Sequence, residues 1–336
     1  MMEKILTVVV PTYNIEKYIA ECLESFVIPE VMGDIEVLIV NDGSKDGSVA
    51  IAEAFVQRYP DTFRLIHKEN GGHGSTINRG IREAAGRYFK VVDGDDWVDG
   101  PAFTALVSWL KKSESDAVVT NYYWYHHGTG KKELEIREPF PGVVYGKTYR
   151  FSEISQRFYM KMHGLTLRTE ILKTRIPPID EHCYYVDMEY VLFPIPWIET
   201  VTFLDEVVYM YRIDLPGQSM NIKSMCRNAE NYDRVLKRLL DFYGIECRRP
   251  ATEAVKTYLA NALGAMAASR FKIFLSFPYS RQVKTQMMDF DRELKRTYPA
   301  VYASVRNRAV LALRKSGYLL YGPARLTFWA KERLKR

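Results

Sequence analysis

Four short apolar runs divide the first hundred residues, and a polar or glycine-rich turn follows each of them. The runs occupy residues 5–10, 35–40, 64–67 and 88–92. Between the runs, apolar residues recur at helical spacing, which predicts helices. The predicted helices span residues 15–26, 48–57 and 74–85. The first run is apolar along nearly its whole length and suits a strand covered on both faces. The alternation of strand and helix predicts a right-handed, parallel α/β sheet.

The predicted strands all end in side chains that could bind a ligand. These are Tyr13 and Asn14 after the first strand, Asp42 after the second, Asn70 and Gly72 after the third, and Asp93, Asp95 and Asp96 after the fourth. Ligands of open α/β sheets bind beyond the carboxyl ends of the strands. Each motif alone also has a structural interpretation, since Asn14 suits a helix N-cap and Asp42 suits a turn. Four such ends in succession indicate a binding edge.

The acidic turn after the fourth strand, Asp93-Gly94-Asp95-Asp96, carries three carboxylates in four residues. Like charges this close repel one another, and a divalent cation with a preference for oxygen ligands, Mg²⁺ or Mn²⁺, relieves the repulsion. Gly94 would give the backbone freedom to aim two side chains at one point. A solvated acidic turn is the alternative interpretation of the motif.

The composition is that of an ordinary globular protein, long enough for two domains or for one domain with a large extension. Of the 336 residues, 47% are hydrophobic and 26% are charged. The four cysteines lack the spacing of a metal site and suit reduced thiols in the cytosol. We expect neither a signal peptide nor a membrane-spanning helix, because no apolar run approaches the roughly 18 residues of a span. Dinucleotide and P-loop motifs are also missing from the sequence.

The positive charge of the chain is concentrated in its last segment. Residues 300–336 contain nine Lys or Arg and one acid, Glu332, so their net charge is +8. The chain as a whole carries +6, which leaves −2 for residues 1–299. This distribution argues against a nucleic-acid-binding core and for an anionic partner of the segment at residues 300–336.

Several motifs in order resemble the nucleotide-sugar-binding half of glycosyltransferase family 2, which has the GT-A fold. They are TVVVPTYN, EVLIVNDGSKDGS, HKENGGHGSTINRGI and YFKVVDGDDW, all within residues 4–100. The resemblance implies an inverting, metal-dependent transferase of the hexosyltransferase type that uses a nucleoside-diphosphate sugar, with UDP preferred. It also implies roles for individual residues around the donor. Pro11, Tyr13, Asn14 and Asp42 would lie around the base and ribose, Asn70, Gly72 and Asn78 would line the nucleotide pocket, and Asp93 and Asp95 would lie at the ribose and metal.

One position departs from the pattern of the family. Its members often carry Arg just before the Asn of the N-x-G motif, where this chain has Ile77. Arg79 or Lys68 could supply the positive charge instead.

A second acidic motif follows in the middle of the chain, at Tyr184-Tyr185-Val186-Asp187-Met188-Glu189-Tyr190. An inverting transferase needs a general base for the acceptor hydroxyl. The family carries this base in an E-D-x-x-F/Y pattern, which Asp187 and Tyr190 match, although Val186 replaces the preceding Glu. The resemblance therefore implies Asp187 as the base, with Glu189 as a competitor. An acidic helix N-terminus is the structural alternative.

Other residues of the middle region are weaker candidates. His163 could contact the diphosphate or acceptor, or be structural, and His126-His127 lacks the further ligands of a zinc site. The aromatic run at residues 122–125, directly before this histidine pair, is typical of either a strand or a face that binds sugar rings. Arg212 and the segment at residues 216–220 resemble the family loop that closes over the donor diphosphate, so Arg212 is a candidate diphosphate contact or an ordinary surface residue.

From residue 226 the pattern becomes helical, which predicts two regions. We expect a GT-A domain at residues 1–225, with a nucleotide-sugar half at 1–100 and an acceptor half at 101–225, followed by a helical region at 226–336. The basic and aromatic residues near the C-terminus are typical of a helix that lies on an anionic membrane surface. Packing on the helical region or a contact between copies in a homo-oligomer remains the alternative.

Together these patterns predict a cytoplasmic glycosyltransferase, peripheral on the inner face of the membrane. It would move a sugar from a sugar nucleotide, with Mn²⁺ or Mg²⁺, to a hydroxyl of a glycan or polyprenyl-linked acceptor in surface polysaccharide assembly. No nucleic acid partner is expected. A sugar nucleotidyltransferase and a non-catalytic nucleotide-sugar-binding subunit are the alternatives.

Overall fold

The protein forms two compact units, Met1–Pro216 and Gly217–Arg336. The computed structural model describes residues 4–135, 140, 142–155, 158–215, 218, 222–248 and 252–334, with side chains described as far as residue 330. We call Met1–Pro216 the N-terminal unit and Gly217–Arg336 the helical unit.

A sheet of ten strands forms the centre of the N-terminal unit. The strands are β1 (Leu6–Thr12), β2 (Ile35–Asn41), β3 (Phe63–His67), β4 (Tyr88–Val91), β5 (Trp97–Val98), β6 (Ala117–His126), β7 (Lys132–Leu134), β8 (Thr148–Arg150), β9 (Leu165–Arg168) and β10 (Thr200–Ile213). The main path runs β3-β2-β1-β4-β9-β6-β10-β5, with β7 beside β6 and β8 beside β10.

Helices of the N-terminal unit flank this sheet. They are α1 (Ile19–Glu24), α2 (Ser48–Arg58), α3 (His73–Glu83), α4 (Gly100–Lys112), α5 (Phe151–Ile154), α6 (Thr169–Thr174) and α7 (Asp187–Leu192). Two short 3₁₀ turns, Met162–Gly164 and Ile195–Trp197, complete the unit. The prediction of an α/β sheet flanked by helices, followed by a helical C-terminal region, is confirmed.

The first four predicted strands form the parallel part of the sheet. β1 pairs in parallel with β2 and β4, and β2 pairs in parallel with β3. Every residue of β1 is buried, as expected for a strand covered on both faces. Since these strands run in the same direction, their carboxyl ends lie at the same edge of the sheet. The residues predicted as a binding edge therefore follow neighbouring strands.

The second half of the sheet is mixed. β9 lies antiparallel between β4 and β6, and β6 pairs in parallel with β10. β10 is 14 residues long and also pairs with the short strand β5, which follows the acidic turn directly. This pairing brings residues near 210 next to residues near 97.

Seven helices form the helical unit among its described residues. They are α8 (Ile222–Arg227), α9 (Ala229–Glu246), α10 (Glu253–Ser276), α11 (Arg281–Thr297), α12 (Pro299–Ser304), α13 (Arg308–Lys315) and α14 (Tyr321–Leu334). α10 is buried over most of its surface, which explains why its sequence is apolar nearly all round. Within the described part of the chain, every helix is too short or too polar to cross a bilayer.

Candidate functional site

The acidic turn lies between β4 and β5 and packs closely on the end of β1. A Cβ added to Gly94 would stand 2.2 Å from Cδ1 of Ile15 and 2.9 Å from the carbonyl oxygen of Pro11. Gly94 does not have a positive φ. The expected backbone freedom is thus not what requires glycine here; the close approach of the turn to β1 requires it.

Asp96 fixes the turn to β10. Its Oδ2 accepts a hydrogen bond from the Tyr209 hydroxyl at 2.6 Å, and its Oδ1 accepts one from the Arg212 backbone N–H at 2.7 Å. The Tyr209 hydroxyl also accepts from the backbone N–H of Asp93 at 3.1 Å. Asp96 is buried, and burial together with the charges of Asp95 and Asp93 raises its pKa well above the ordinary value.

Arg212 braces the same turn from β10. Its Nε donates to the carbonyl oxygen of Asp95 at 2.7 Å, and its guanidinium pairs with Glu21 at 2.6 Å. The guanidinium also stacks 4.5 Å from the centroid of Trp97, and only 4% of the residue is exposed. These contacts give Arg212 a structural role inside the protein, and its contact with a diphosphate remains a prediction. Of the loop at residues 216–220 that was predicted to accompany it, only residue 218 is among the described residues.

Asp93 forms a pair with a residue that the sequence did not single out. Its Oδ1 lies 2.7 Å from Nε2 of His73, the first residue of α3. Burial alone would raise the pKa of Asp93, but the charge and hydrogen bond of His73 outweigh burial and lower it. Burial lowers the pKa of His73, and Asp93 reverses this effect so that the pKa is raised. The two residues therefore form an ion pair across the end of the sheet.

Asp95 differs from its two neighbours because its carboxylate forms no ion pair within the described part of the chain. Burial, followed by the negative charge of Asp93, raises its pKa to about 6. This shift measures how unfavourable it is to keep three carboxylates charged in one turn. A cation beside Asp95 would relieve this repulsion.

Asp93, Asp96 and His163 form the group of donor atoms best arranged for a metal among the described residues. One atom from each lies within 4.8 Å of the others. Nδ1 of His163 is buried and has no hydrogen-bond partner among the residues that the structure describes, so a ligand atom is available there. Asp95, a predicted ligand, is not part of this group. Both oxygens of Asp96 already accept hydrogen bonds, which makes Asp93 and His163 the more available pair. The carboxylate oxygens fit Mn²⁺ or Mg²⁺, whereas the imidazole nitrogen suits a transition metal more than Mg²⁺.

His163 sits in an aromatic enclosure above a buried lysine. Its ring lies 4.2 Å from that of Tyr211 and 4.9 Å from that of Tyr209, centroid to centroid. Lys90 donates to the carbonyl oxygen of His163 at 2.7 Å and holds the 3₁₀ turn in place. Burial lowers the pKa of His163 to about 4 and the pKa of Lys90 to about 7. His163 is thus a neutral donor at physiological pH.

Asp42 organises the loop after β3. Its carboxylate accepts from the backbone N–H groups of Gly71 and Gly72 at 2.9 and 2.8 Å, and from Nζ of Lys68 at 2.6 Å. Asn70 donates to the backbone carbonyl of Asp42 at 3.0 Å. Asp42, Asn70 and Gly72 are therefore brought together as predicted for one site, although the Asp42 side chain serves the loop itself. Its role toward a base remains a prediction.

Three further predicted residues lie at the carboxyl ends of the strands. Pro11 is buried at the end of β1, while Tyr13 and Asn14 beyond it are exposed. Asn14 has a φ of 51° and accepts from the backbone of Lys45 at 2.8 Å, which links the turns after β1 and β2. Their contact with a nucleotide remains a prediction.

Asn78 clamps a distant segment to α3. Its amide exchanges two hydrogen bonds with the backbone of Ile179, donating at 2.8 Å and accepting at 2.9 Å. The neighbouring departure, Ile77, is fully buried, so the position before Asn78 serves the core. Arg79 pairs with Glu83 along the helix and Lys68 pairs with Asp42. Of Arg79 and Lys68, it is Lys68 that contacts a residue of the binding edge, Asp42.

Asp187 and Glu189, the two candidates for the base, differ in exposure and in hydrogen bonding. Glu189 is fully buried and accepts from the backbone N–H of Asp180 at 2.7 Å. Asp187, the first residue of α7, is partly exposed. Burial raises its pKa, His73 opposes this shift, and the negative charge of Asp93 adds to it. Asp187 therefore lies in the electrostatic environment of His73 and the acidic turn, and its role as a base remains a prediction.

Comparison with known proteins identifies relatives with the same motifs. The model of the family described as "Glycosyl transferase family 2" matches residues 7–175. The putative glycosyltransferase EpsH of Bacillus subtilis is 30% identical over 225 residues, which cover 62% of this chain and 61% of EpsH. The minor teichoic acid biosynthesis protein GgaB of the same organism is 34% identical over 132 residues, which cover 38% of this chain and 15% of GgaB. The chain thus spans less than two thirds of these relatives.

A solved structure shares the fold. The crystal structure of S. aureus TarS 1-349 in complex with UDP-GlcNAc aligns with a TM-score of 0.65 over 99% of this chain and 92% of that chain, at 19% sequence identity. At this level of identity the similarity shows the fold alone.

Proposed function

The chain belongs to glycosyl transferase family 2, and on that basis we propose that it is an inverting glycosyltransferase. It would move a sugar from a nucleoside-diphosphate sugar to a hydroxyl group of an acceptor. The observation that carries this proposal is that the two acidic motifs, at Asp93–Asp96 and at Asp187, interact with the same residue, His73. Asp187 on α7 interacts electrostatically with Asp93, the first residue of the acidic turn, and with His73, which pairs with Asp93.

The proposed donor site follows the carboxyl ends of β1 to β4. Tyr13, Asn14 and the loop held by Asp42 would surround the base and ribose, with Asn70, Gly72 and Asn78 along the nucleotide pocket. UDP is the proposed nucleotide, and the UDP-GlcNAc complex of TarS supports this choice through the shared fold. The proposed ribose contact is Asp93.

We assign metal binding to Asp93 and Asp95, with His163 as an adjacent donor. The raised pKa of Asp95 and the unpartnered Nδ1 of His163 support this assignment. When bound, Mn²⁺ or Mg²⁺ would neutralise the charge that develops on the departing diphosphate. Arg212 contributes by fixing the backbone of Asp95, and a direct contact with the diphosphate is the further role proposed for it.

Asp187 would act as the general base. Its carboxylate takes the proton of the acceptor hydroxyl while that oxygen bonds to the anomeric carbon from the face opposite the diphosphate. The bond between the anomeric carbon and the diphosphate oxygen breaks, and its electron pair leaves with the nucleoside diphosphate. The configuration at the anomeric carbon is therefore inverted. The raised pKa of Asp187 suits a base that must accept a proton near neutral pH.

For the acceptor we propose a glycan or polyprenyl-linked glycan in surface polysaccharide assembly. The relation to GgaB, a teichoic acid biosynthesis protein, supports this class. Such an acceptor would be met at the cytoplasmic face of the membrane, and the protein is proposed to be peripheral there.

The direct test is the release of nucleoside diphosphate from UDP-sugars, with simple glycosides or water as acceptors, by the wild type and Asp187→Asn. Loss of a general base should lower kcat by about 10²–10⁴-fold and leave the dissociation constant for the nucleotide unchanged. Glu170→Gln is the matched control, because Glu170 is an exposed acid in the first turn of a short helix, α6, and lies outside the proposed chemistry. Binding of nucleotide without turnover by the wild type would instead indicate a non-catalytic subunit.

A further inference from the structure

The connection between α13 and α14 exposes an unusual number of large apolar side chains. Leu319 is 81% exposed and Leu320 is 44% exposed, and on α14 Leu326 and Trp329 are 69% and 41% exposed. Leu326 and Trp329 are three residues apart and share one side of the helix. We call these four residues the apolar tip of the helical unit. Exposed apolar groups concentrated in this way mark a contact surface.

The two leucines of the apolar tip, Leu319 and Leu320, are anchored on both sides. α13 ends in a Schellman motif, in which the backbone N–H of Tyr318 donates to the carbonyl oxygen of Leu313 at 2.8 Å. Tyr318 has a φ of 66°, which is unfavourable for an aromatic residue, and its hydroxyl donates to Asp291 at 2.5 Å. Tyr321 is buried on the other side. The exposed leucines are therefore presented by an anchored turn.

The segment of the chain that carries the apolar tip is positively charged. Residues 298–330 contain no Asp or Glu and five Lys or Arg. Arg306, Arg308 and Lys315 are exposed, and the last two lie on the same stripe of α13 as exposed Leu311. The other two cations are engaged within the protein, since Arg314 pairs with Asp291 at 2.7 Å and Nε of Arg325 donates to the carbonyl oxygen of Phe277 at 2.8 Å. The segment that carries the tip is thus cationic as well as apolar.

We propose that the apolar tip inserts into the interface of an anionic lipid bilayer, with Arg306, Arg308 and Lys315 at the lipid headgroups. Apolar side chains flanked by Lys and Arg match such a surface in both hydrophobicity and charge. The anchor is a leucine turn between two helices together with one side of α14, whereas the sequence predicted a single in-plane helix. This anchor lies in the helical unit, so lipid binding does not depend on transferase activity.

Co-sedimentation of the full chain with lipid vesicles tests the proposal. One set of vesicles contains phosphatidylcholine alone, and the other contains phosphatidylcholine and phosphatidylglycerol in equal amounts. We expect binding to the anionic vesicles and a much weaker association with the neutral ones. Leu319→Ser with Leu320→Ser should lower the partition coefficient about tenfold or more, because two leucines no longer leave water. Arg308→Gln with Lys315→Gln should remove most of the difference between the two vesicle types.

Matched substitutions elsewhere in the helical unit serve as controls. Ile245→Ser removes another exposed apolar side chain, and Arg281→Gln with Arg296→Gln removes two other exposed cations. Neither should change vesicle binding. All substituted side chains are exposed, so circular dichroism should show unchanged melting. Full binding by the double leucine variant would overturn the proposal. It would also be overturned by a wild type that ignores vesicles and forms a dimer that the same variant dissociates, since the tip would then be a contact between copies.

Discussion

At the scale of single residues, the three carboxylates of the acidic turn differ in their surroundings. Asp93 is charged and paired with His73, and Asp96 is buried beneath hydrogen bonds from β10. Asp95 is left without an ion pair in the described part of the chain, with a pKa of about 6. The turn therefore contains one carboxylate paired with His73, one held by hydrogen bonds from β10, and one without an ion pair among the described residues. A cation beside Asp95 would relieve its repulsion from Asp93.

The His73–Asp93 pair gives a prediction for donor binding. His73→Ala should weaken metal-dependent binding of the nucleoside diphosphate about tenfold, because a hydrogen bond to a charged group contributes about 1.5–3 kcal/mol. His73→Gln retains a donor near Asp93 and should lose less. Isothermal titration calorimetry measures both variants.

The His126–Asp214 pair has the same separation, 2.7 Å, and provides the control. His126→Ala should leave the nucleotide affinity unchanged. Equal or tighter binding by His73→Ala would contradict a positioning role for His73.

Residues of the site differ in how far sequence alone could predict them. The carboxylates Asp93 and Asp95 stand in a motif of adjacent acidic residues, so the pattern singles them out, whereas Asp187 comes from the resemblance to the family. His163 is a weak candidate in the sequence, and His73 and Lys90 are not singled out, because their partners are distant in the chain. Lys90, for example, donates to a carbonyl 73 residues away. Such pairs form only when β4, β9 and β10 come together, and no local pattern records that.

At the scale of elements, the sheet edge is assembled by close packing of α3 on β1. Gly80 of α3 lies against Val9 of β1, and a Cβ at Gly80 would stand 2.3 Å from Cγ2 of Val9. The helix begins at His73, so this contact also sets the position of His73 beside Asp93. The first four strands could be predicted from their apolar runs. The antiparallel insertion of β9 could not, because its four residues carry no distinguishing pattern.

Gly80→Ala tests the contact between α3 and β1. Alanine favours a helix by about 1 kcal/mol over glycine, but overpacking in a core costs about 1–3 kcal/mol. The free energy of unfolding should fall, and nucleotide binding should weaken as His73 shifts. Urea denaturation measures the first and calorimetry the second.

Gly322→Ala is the matched control, since a Cβ at this helical glycine would meet nothing within 4 Å. Its stability should stay the same or rise. Unchanged stability of Gly80→Ala would show that the sheet yields at this point and would remove the packing argument.

At the scale of the whole molecule, the core of the N-terminal unit contains a lysine, Lys90, that donates to a backbone carbonyl and forms no ion pair within the described part of the chain. Lys90 is fully buried, and burial lowers its pKa from 10.5 to about 7. Between these two pH values the unfolded chain holds a proton that the folded chain has released. Unfolding therefore takes up a proton, and the folded state becomes more stable as the pH rises through this window.

This linkage predicts a pH dependence of stability. The free energy of unfolding of the wild type, relative to Lys90→Met, should rise by up to about 1.4 kcal/mol per pH unit above pH 7. Urea unfolding at a series of alkaline pH values measures it. Lys17→Met, at an exposed position, should show no such trend. If the free energies of unfolding of the wild type and Lys90→Met changed in parallel with pH, the lowered pKa of Lys90 would be contradicted.

The central claim is that the acidic turn and the ends of β1 to β4 form a metal-dependent site for a nucleoside diphosphate. The most direct measurement is a thermal-shift screen of the full chain with UDP, GDP, CMP and dTDP, with and without Mn²⁺, on the wild type and Asp95→Ala. A ligand that binds the folded state raises its melting temperature. The account predicts stabilisation by one nucleoside diphosphate, UDP by preference, that requires Mn²⁺ and disappears in Asp95→Ala. No stabilisation by any nucleotide, or stabilisation that Asp95→Ala retains in full, would contradict it.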